Sequence, residues 1–300
     1  MVRHRRRLFA LVLGLGLLVA ALPSPAAEKA SPRGKDFLWK VTSPGATAYL
    51  LGSVHVLNST AYRSDTDFEN AFQQAQIVVF ETDLGQLDSE GVQQMLLSRG
   101  SYPKGESLRK SIPEKVYFRV EKAAGALGLP PGALNRFRPW FCAMTLANLK
   151  LAALGFNPEK GVDRYFYQKA RSSGKKILGL ETPSDQIDIF ADMPPETQEK
   201  FLEQSLDDLE SARSQVEKIL AAWKTGDTGK IKSILLKGLR EDPGLYQQLV
   251  VQRNLRWMKT LEHLLGGHQN FLVVVGAAHL VGSDGLVALL RTRGFKVEQQ

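Results

Sequence analysis

The chain has 300 residues and a formal charge of +8, from 39 lysine and arginine residues against 31 aspartate and glutamate residues. Four of its arginines lie in residues 1–26, where no acidic residue occurs, so residues 27–300 carry a formal charge of +4 and no basic tract. That balance gives no reason to expect a nucleic acid partner, and the length suits one large domain with a substantial core.

Residues 1–26 have the three parts of a secretory signal peptide. A basic start is followed by an apolar stretch at 8–22, which is short for a bilayer span, and then by small residues and proline. The sequence therefore predicts an extracytoplasmic protein, periplasmic or secreted. We expect a signal peptide at 1–26, one domain at 27–300 and no stable membrane anchor after cleavage. A retained signal anchor stays open as an alternative, and so does the choice between Sec and Tat export.

Strand-like and helical segments alternate along residues 27–300. Residues 37–41 and 47–51 flank turn-forming residues and predict an opening β-hairpin. Further strands are predicted at 77–80, 175–180, 271–275 and 295–297, and helices at 65–75, 111–126, 138–154, 162–172, 184–222, 230–239, 245–265 and 286–291. The order predicts an α/β fold, with a mixed β-sheet core opened by the hairpin, flanking helices, and a large helical insertion or cap at about 185–265. The helix at 111–126 is expected to begin with a capping box at 111–114.

Four predicted strands end in polar residues that a buried strand has no packing reason to place there. His55 follows the hairpin, and Glu81, Glu181 and His279 follow the next three predicted core strands. Because ligands bind beyond the carboxyl ends of strands in α/β sheets, we expect these four side chains at one site. Histidine and carboxylate together are ligands for zinc, manganese or a related divalent ion, and a spare carboxylate suits a general base.

Both histidines lie in the pattern Gly-x-x-His, which begins at Gly52 and at Gly276. A glycine at that position allows a tight turn and leaves room above the sheet edge. The pattern is short, and a single histidine at a strand end is more often structural than a ligand. The occurrence of the pattern at two strand ends favours a functional role.

Other polar residues admit two interpretations. Arg253 and Asn254 lie within a predicted helix and suit either a solvated surface or a site, where the arginine would pair with a carboxylate or polarise a substrate carbonyl. Asp163 opens a predicted helix, and we interpret it as a helix cap rather than a catalytic residue. Cys142 is the only cysteine and lies in an apolar run, so it is predicted to be a buried and inert thiol.

Several dispersed blocks of the sequence resemble the TraB/GumN family, which includes the TIKI proteins. In chain order, the matching blocks are residues 38–41, 49–55, 80–83, 161–163, 180–186, 253–254 and 275–282. They extend over about residues 37–297. The resemblance implies a fold related to haem-binding ChaN-like and erythromycin-esterase-like proteins.

The same resemblance implies a chemistry. TIKI proteins are metal-dependent proteases with two Gly-x-x-His motifs and an essential glutamate, and TraB-type proteins lower the activity of peptide pheromones. On the residues of this sequence, His55 and His279 match the motif histidines and Glu81 matches the glutamate.

These observations predict an exported metal-dependent hydrolase that acts on peptides. The predicted site has His55, His279 and Glu81 as metal ligands, Glu81, Glu181 and Arg253 as catalytic residues, and Gly52, Gly276 and Asn254 as supporting motif residues. The cofactor would be a divalent metal (Mn, Co or Zn), and the partner a peptide or small-molecule substrate. The alternative is a non-catalytic extracytoplasmic protein that uses the same cleft to bind a metal, haem or another small ligand.

Overall fold

The computed structural model describes residues 35–57, 66–240 and 242–300. The predicted signal peptide at 1–26 lies outside these ranges and stays a prediction. None of the helices within the ranges is both long and apolar enough to cross a membrane.

The described residues form one mixed β-sheet of six strands. The strands are β1 (Leu38–Thr42), β2 (Thr47–Ser53), β3 (Ile77–Phe80), β4 (Lys176–Gly179), β5 (Phe271–Gly276) and β6 (Lys296–Gln299). Their order across the sheet is β4-β3-β5-β2-β1-β6. Strand β1 runs opposite to the other five strands. It pairs antiparallel with β2, with which it forms the opening hairpin, and with β6 on its other side, while the remaining pairs are parallel. The predicted α/β fold with a mixed sheet and an opening hairpin is confirmed.

Helices occupy most of the remaining chain. They are α1 (Thr66–Gln74), α2 (Leu84–Leu87), α3 (Glu90–Gly100), α4 (Leu108–Ser111), α5 (Glu114–Ala126), α6 (Pro139–Ala153), α7 (Val162–Ser172), α8 (Pro183–Ala191), α9 (Pro195–Asp208), α10 (Ala212–Lys224), α11 (Thr228–Ile231), α12 (Lys237–Arg240), α13 (Pro243–Tyr246), α14 (Gln252–Leu265) and α15 (Leu286–Thr292). Short 3₁₀ turns span Pro158–Lys160 and Ala277–His279, and π-helical turns span Lys232–Leu236 and Gln247–Val251.

The central strands are buried along their whole length. Every residue of β3 and of β5 is buried, which explains why both segments are continuous apolar runs instead of alternating patterns. Strand β4 differs from the expected core strand, because its residues are half-buried or exposed and it lies at the edge of the sheet. Because the strand is not enclosed on both faces of the sheet, the exposed basic side chain of Lys176 is tolerated there.

The carboxyl ends of β2, β3, β4 and β5 meet at one edge of the sheet. In the parallel register, Ser53 lies opposite Gly276, while Phe80 lies opposite both Val274 and Gly179. The chain leaves all four strands at this edge, and the segments that carry His55, Glu81, Glu181 and His279 therefore begin there.

The helical segment between β4 and β5 reaches this same edge. The indole Nε1 of Trp223, on α10, donates a hydrogen bond of 2.6 Å to the carbonyl of Gly52 at the end of β2. On α14, Arg253, Asn254 and Trp257 are buried. The helical section predicted at 184–222, with its predicted break near Pro194 and Pro195, forms α8, α9 and α10, with a proline at the first position of α8 and of α9.

Two predicted helix caps are wrong. The residue before α5 is Pro113, which makes no side-chain cap, so the predicted capping box at 111–114 does not form. The N-cap of α7 is Gly161 rather than Asp163, which is the second residue of the helix and is buried. Its carboxylate is directed away from the helix N–H groups and contacts polar side chains at the edge of the sheet.

Candidate functional site

The imidazole of His55 is held from one side by a carboxylate. Its Nδ1 lies 2.8 Å from Oδ2 of Asp163, and Oδ1 of the same aspartate accepts a hydrogen bond of 2.6 Å from the hydroxyl of Ser53. Because a carboxylate only accepts, Nδ1 carries a proton and Nε2 is the nitrogen directed at Glu81, 3.9 Å from its Oε1. This carboxylate–histidine pair is the arrangement that orients metal-binding histidines.

The imidazole of His279 is held by an amide instead. Asn254 Nδ2 donates hydrogen bonds to the carbonyl oxygens of His279 and Asp284, at 3.2 and 2.7 Å. These two bonds identify the amide nitrogen and therefore the amide oxygen. Its Oδ1 then lies 2.7 Å from Nδ1 of His279. The amide oxygen only accepts, so Nδ1 carries the proton here too, and the lone pair of Nε2 is free to bind another group.

Glu81 lies between the two imidazoles. Its Oε1 is 3.9 Å from Nε2 of His55 and 3.9 Å from Nε2 of His279, and it accepts the backbone N–H of Gly276 at 2.7 Å. Its Oε2 accepts from Nη2 of Arg253 at 2.5 Å. Burial alone would raise the pKa of Glu81, but Arg253 and the two imidazoles outweigh it and lower the pKa to about 2.

Arg253 is locked in place by Glu181. Its Nε lies 3.0 and 3.1 Å from the two carboxylate oxygens of Glu181, which also accept from Trp257 Nε1 at 3.1 Å and Gln186 Nε2 at 3.0 Å. The side chains of Arg253 and Glu181 are only 8% and 3% exposed. The alternative of a solvated Arg253 is therefore wrong. Glu181 has its oxygens engaged by four donors, so its contacts are those of a residue that positions Arg253.

The two motif glycines meet different needs. A side chain at Gly276 would place its Cβ 3.1 Å from Glu81 Oε1 and 3.2 Å from His55 Nε2, so the absence of one keeps the space between these donors open. A Cβ at Gly52 would instead overlap the ring of Phe37. Gly276 has an ordinary φ of −52°, so its backbone does not require glycine, whereas the expected room above the sheet edge is present.

The donor set suits a divalent cation. Two imidazole Nε2 atoms and one carboxylate oxygen converge beside Gly276, and such donors bind Zn or a related ion. Glu81 and Glu181 pair with the Arg253 guanidinium and Asp163 pairs with His55, so three carboxylates stand against two positive groups and leave a negative excess that a cation would balance. As the side chains of the described ranges stand, no group of three or more His, Cys, Asp or Glu residues forms a ready metal site. In this arrangement Nη1 of Arg253 lies 3.0 Å from Nε2 of His279, one of the nitrogens that a cation would need.

The two imidazoles have opposite proton affinities. Burial lowers the pKa of His55, but the attraction and hydrogen bond of Asp163, together with Glu81, outweigh it and raise the pKa to about 9. For His279, burial and the nearby Arg253 guanidinium both lower the pKa, to about 3. At neutral pH His279 is neutral, and His55 is a cation until a metal or a base takes its proton.

These shifts predict a maximum of stability near pH 6.5 when a chelator is present. His279 contributes stability that is complete above its ordinary pKa of 6.5 and lost as the pH falls towards 3. Glu81 adds to the loss below its ordinary value of 4.5. His55 contributes stability that is complete below 6.5 and lost as the pH rises through about 9.

Urea unfolding at pH 5, 6.5 and 9 in EDTA measures this dependence. The variant His55→Gln should lose less stability than the wild-type protein between pH 6.5 and 9, because the titrating group is gone. Equal slopes for the two proteins in that range would contradict the assignment of the raised pKa to His55.

A small cleft opens beside His55 and Glu81. It has space for only a few water molecules, about 40 Å³, and is lined in addition by Phe80, Thr82, Leu84, Leu87, Pro158, Asp163, Arg164 and Gln186. Its walls are mostly apolar, and the charged side chains of His55, Glu81, Asp163 and Arg164 complete the lining. The cleft therefore gives access to the site from the side formed by α2 and the turn before α7.

The structure brings the sequence-predicted site residues into one cluster except Gly52, which packs against Phe37. His55, Glu81, Glu181, His279 and Arg253 are joined by the contacts above, and their catalytic and ligand roles stay predictions. Three contributors could not be assigned from the sequence: Asp163, interpreted as a cap, and Gln186 and Trp257, which were not singled out. Asp163 and Gln186 both lie in the blocks that carry the family resemblance, and that placement was the available signal.

The other reactive side chains lie outside the cluster. His263 and His268 are exposed near the end of α14. Cys142 is buried on α6, where desolvation raises the pKa of its thiol far above its usual range. The thiol is thus inert at neutral pH, as the sequence predicts.

Comparison with known proteins yields several relatives that are named as metalloproteases. The chain is 24% identical over 316 residues to metalloprotease TIKI2 of Danio rerio, a match that covers 88% of this chain and 60% of that protein. It is 24% identical over 344 residues to a metalloprotease TIKI homolog of Amphimedon queenslandica, covering 96% and 67%. It is 23% identical over 318 residues to metalloprotease TIKI1 of Danio rerio, covering 88% and 63%. No solved structure matches the chain.

The similarity covers most of this chain but only part of each relative. The chain spans about three fifths of the length of TIKI2, so the similarity does not extend over the whole of that protein. The model of the TraB/PrgY/gumN family matches residues 37–299, a range that includes every residue of the polar cluster. The chain therefore belongs to the TraB/PrgY/gumN family.

Proposed function

We propose that this protein is an exported metal-dependent peptidase in which His55, His279 and Glu81 hold a divalent cation, Mn, Co or Zn. The observation that carries the proposal is the orientation of the two imidazoles. Each is fixed through Nδ1, by Asp163 or Asn254, so that Nε2 faces the same oxygen of Glu81. The names of the TIKI relatives support the metalloprotease class.

A bound divalent cation would polarise a peptide carbonyl and lower the pKa of a water molecule. Glu81 fits the role of a ligand better than that of a base, because a carboxyl with a pKa of about 2 has little tendency to take a proton at neutral pH. Arg253 would add a positive charge next to a carbonyl oxygen that becomes negative in the transition state. Glu181 would keep the guanidinium oriented for that purpose.

The cleft supports a small-side-chain peptide substrate. Its apolar walls, Leu84, Leu87 and Pro158, lie next to His55 and Glu81, so a substrate side chain bound there would bring the neighbouring peptide bond to the charged donors. Export through the predicted signal peptide would give the enzyme access to extracytoplasmic peptides.

Purified protein digested with a peptide library tests the proposal. The metal content is measured first, and digestion is then compared with added Mn, Co or Zn and with EDTA. We expect metal-dependent cleavage that EDTA abolishes. Metal or small-ligand binding without any cleavage would favour the alternative of a non-catalytic binding protein, and the absence of both would contradict the proposal.

The substitution Gly276→Ala should abolish metal binding while leaving the fold intact. The added methyl group would lie 3.1 and 3.2 Å from two of the proposed donors, Glu81 Oε1 and His55 Nε2, and fill the space between them. Gly125→Ala is the matched control, because a Cβ on that helical glycine meets no atom within 4 Å. Isothermal titration with Zn²⁺ measures both variants. Wild-type affinity in Gly276→Ala would place the cation elsewhere.

A further inference from the structure

The side chain of Arg253 is hydrogen-bonded to Nε2 of His279, the nitrogen that would coordinate a metal ion. Its Nη1 lies 3.0 Å from Nε2 of His279, and the amide of Asn254 fixes Nδ1 of that ring as the protonated nitrogen. Nη1 therefore donates a hydrogen bond into the Nε2 lone pair. A lone pair that accepts this hydrogen bond cannot at the same time coordinate a cation.

We propose that Arg253 and a divalent cation compete for the Nε2 lone pair of His279, so that binding of the cation releases the Nη1 group. The inference rests on the metal-binding function proposed above and adds an internal competitor to it. Arg253 is then a positioning residue that sets the affinity of the site as well as its charge.

The hydrogen-bond network allows this release at low cost. Nε and Nη2 bind Glu181, and Nη2 also binds Glu81, whereas Nη1 has His279 and the carbonyl of Leu249, 3.2 Å away. Losing the contact with His279 leaves the bidentate pair with Glu181 and the bond to Leu249 in place. Because the guanidinium is a rigid plane, it would tilt about its Nε–Nη2 edge, which moves Nη1 away from His279 while that edge stays paired with Glu181 and no buried charge is unpaired.

The electrostatic balance points the same way. The three carboxylates of Glu81, Glu181 and Asp163 exceed the positive charges of Arg253 and protonated His55, so a cation can enter while the guanidinium stays in the site. The residual repulsion between the two positive groups favours the withdrawal of Nη1 from His279. The carbonyl of Leu249 in the π-helical turn before α14 gives Nη1 a partner after the exchange.

Zn²⁺ titration of Arg253→Lys, the wild-type protein and Arg256→Lys tests the competition. Lysine keeps the charge but loses the guanidinium fork that reaches Glu181, Glu81 and His279 together. Removing a charge-assisted hydrogen bond from Nε2 should tighten Zn²⁺ binding by about tenfold or more. Arg256 is exposed on the same helix and serves as the control, with wild-type affinity expected.

Nuclear magnetic resonance of ¹⁵N-arginine-labelled wild-type protein gives a readout independent of activity and of any variant. Before Zn²⁺ is added, the Nη1 protons of Arg253 should exchange slowly with solvent because they are hydrogen-bonded. On binding, their chemical shift and exchange rate should change. If Zn²⁺ binds and these signals stay unchanged, the competition is refuted while the metal site stands. If Zn²⁺ binds neither wild-type protein nor Arg253→Lys, the proposed metal function fails as well. Binding by Arg253→Lys alone would support the competition.

Discussion

Replacing His279 with alanine should abolish metal binding and peptide cleavage together. The ring is buried, its Nδ1 is fixed by Asn254, and its Nε2 is one of only two imidazole nitrogens that face Glu81 in the described part of the chain. A site left with one imidazole and one carboxylate has too few protein ligands for a stable catalytic zinc centre. We expect cleavage to fall by at least about a hundredfold, which is the lower end of the loss for a missing catalytic group.

His55→Ala should have the same effect, and His263→Ala provides the matched control. His263 is an exposed histidine in the last turn of α14, the helix that also carries Arg253, so its loss should leave metal content and cleavage unchanged. Metal content is measured by mass spectrometry of the folded protein, and folding by circular dichroism. If His279→Ala folds, retains its metal and cleaves peptides as well as His263→Ala, then His279 is not a ligand.

Glu81→Gln separates the two roles that the sequence leaves open for this residue. Loss of a ligand lowers metal content along with turnover, whereas loss of a base spares metal binding and lowers turnover only. The depressed pKa of Glu81 leads us to expect the first outcome. Retained metal with lost cleavage would identify the carboxylate as the base.

The strand ends could be predicted from the sequence because their signal is local. A polar residue directly after a buried apolar run, such as Glu81 after β3, can be recognised from a short stretch of sequence. The order of the strands has no such signal, since β5 comes late in the chain and yet lies between β3 and β2. Sheet neighbours are chosen by long-range packing, and a periodic pattern contains no information about them.

The interpretation of Asp163 failed for the same reason. Its position near the start of α7 is typical of a capping residue, and that local pattern is all the sequence shows. Its true partner, Ser53, is separated from it by 110 residues along the chain. Arg253, Trp257 and Leu261 recur at every fourth position on α14, and all three are buried. That spacing marks the buried face of the helix and is the signal that could have identified Arg253 and Trp257.

Glu181→Ala should destabilise the protein by about 3–5 kcal/mol, the range for removing one partner of a buried ion pair. The guanidinium of Arg253 would lose its bidentate partner while it stays buried, and Trp257 Nε1 would lose its acceptor. The control is Glu217→Ala on α10, where both partners of the ion pair with Arg213 are more than half exposed. An exposed pair of that kind contributes about 0.3–0.5 kcal/mol, so its loss should be small.

The double variant Glu181→Ala/Arg253→Met shows whether the loss comes from the unpaired charge. Removing both charges takes away the uncompensated guanidinium, so the double variant should be more stable than the sum of the two single losses predicts. Urea unfolding of the single and double variants in EDTA measures this coupling, because a chelator removes any contribution of bound metal. A loss for Glu181→Ala no larger than that for Glu217→Ala would mean that the existing pair with Glu81 is enough to compensate the Arg253 guanidinium. In that case Glu181 would not be the residue that positions the guanidinium.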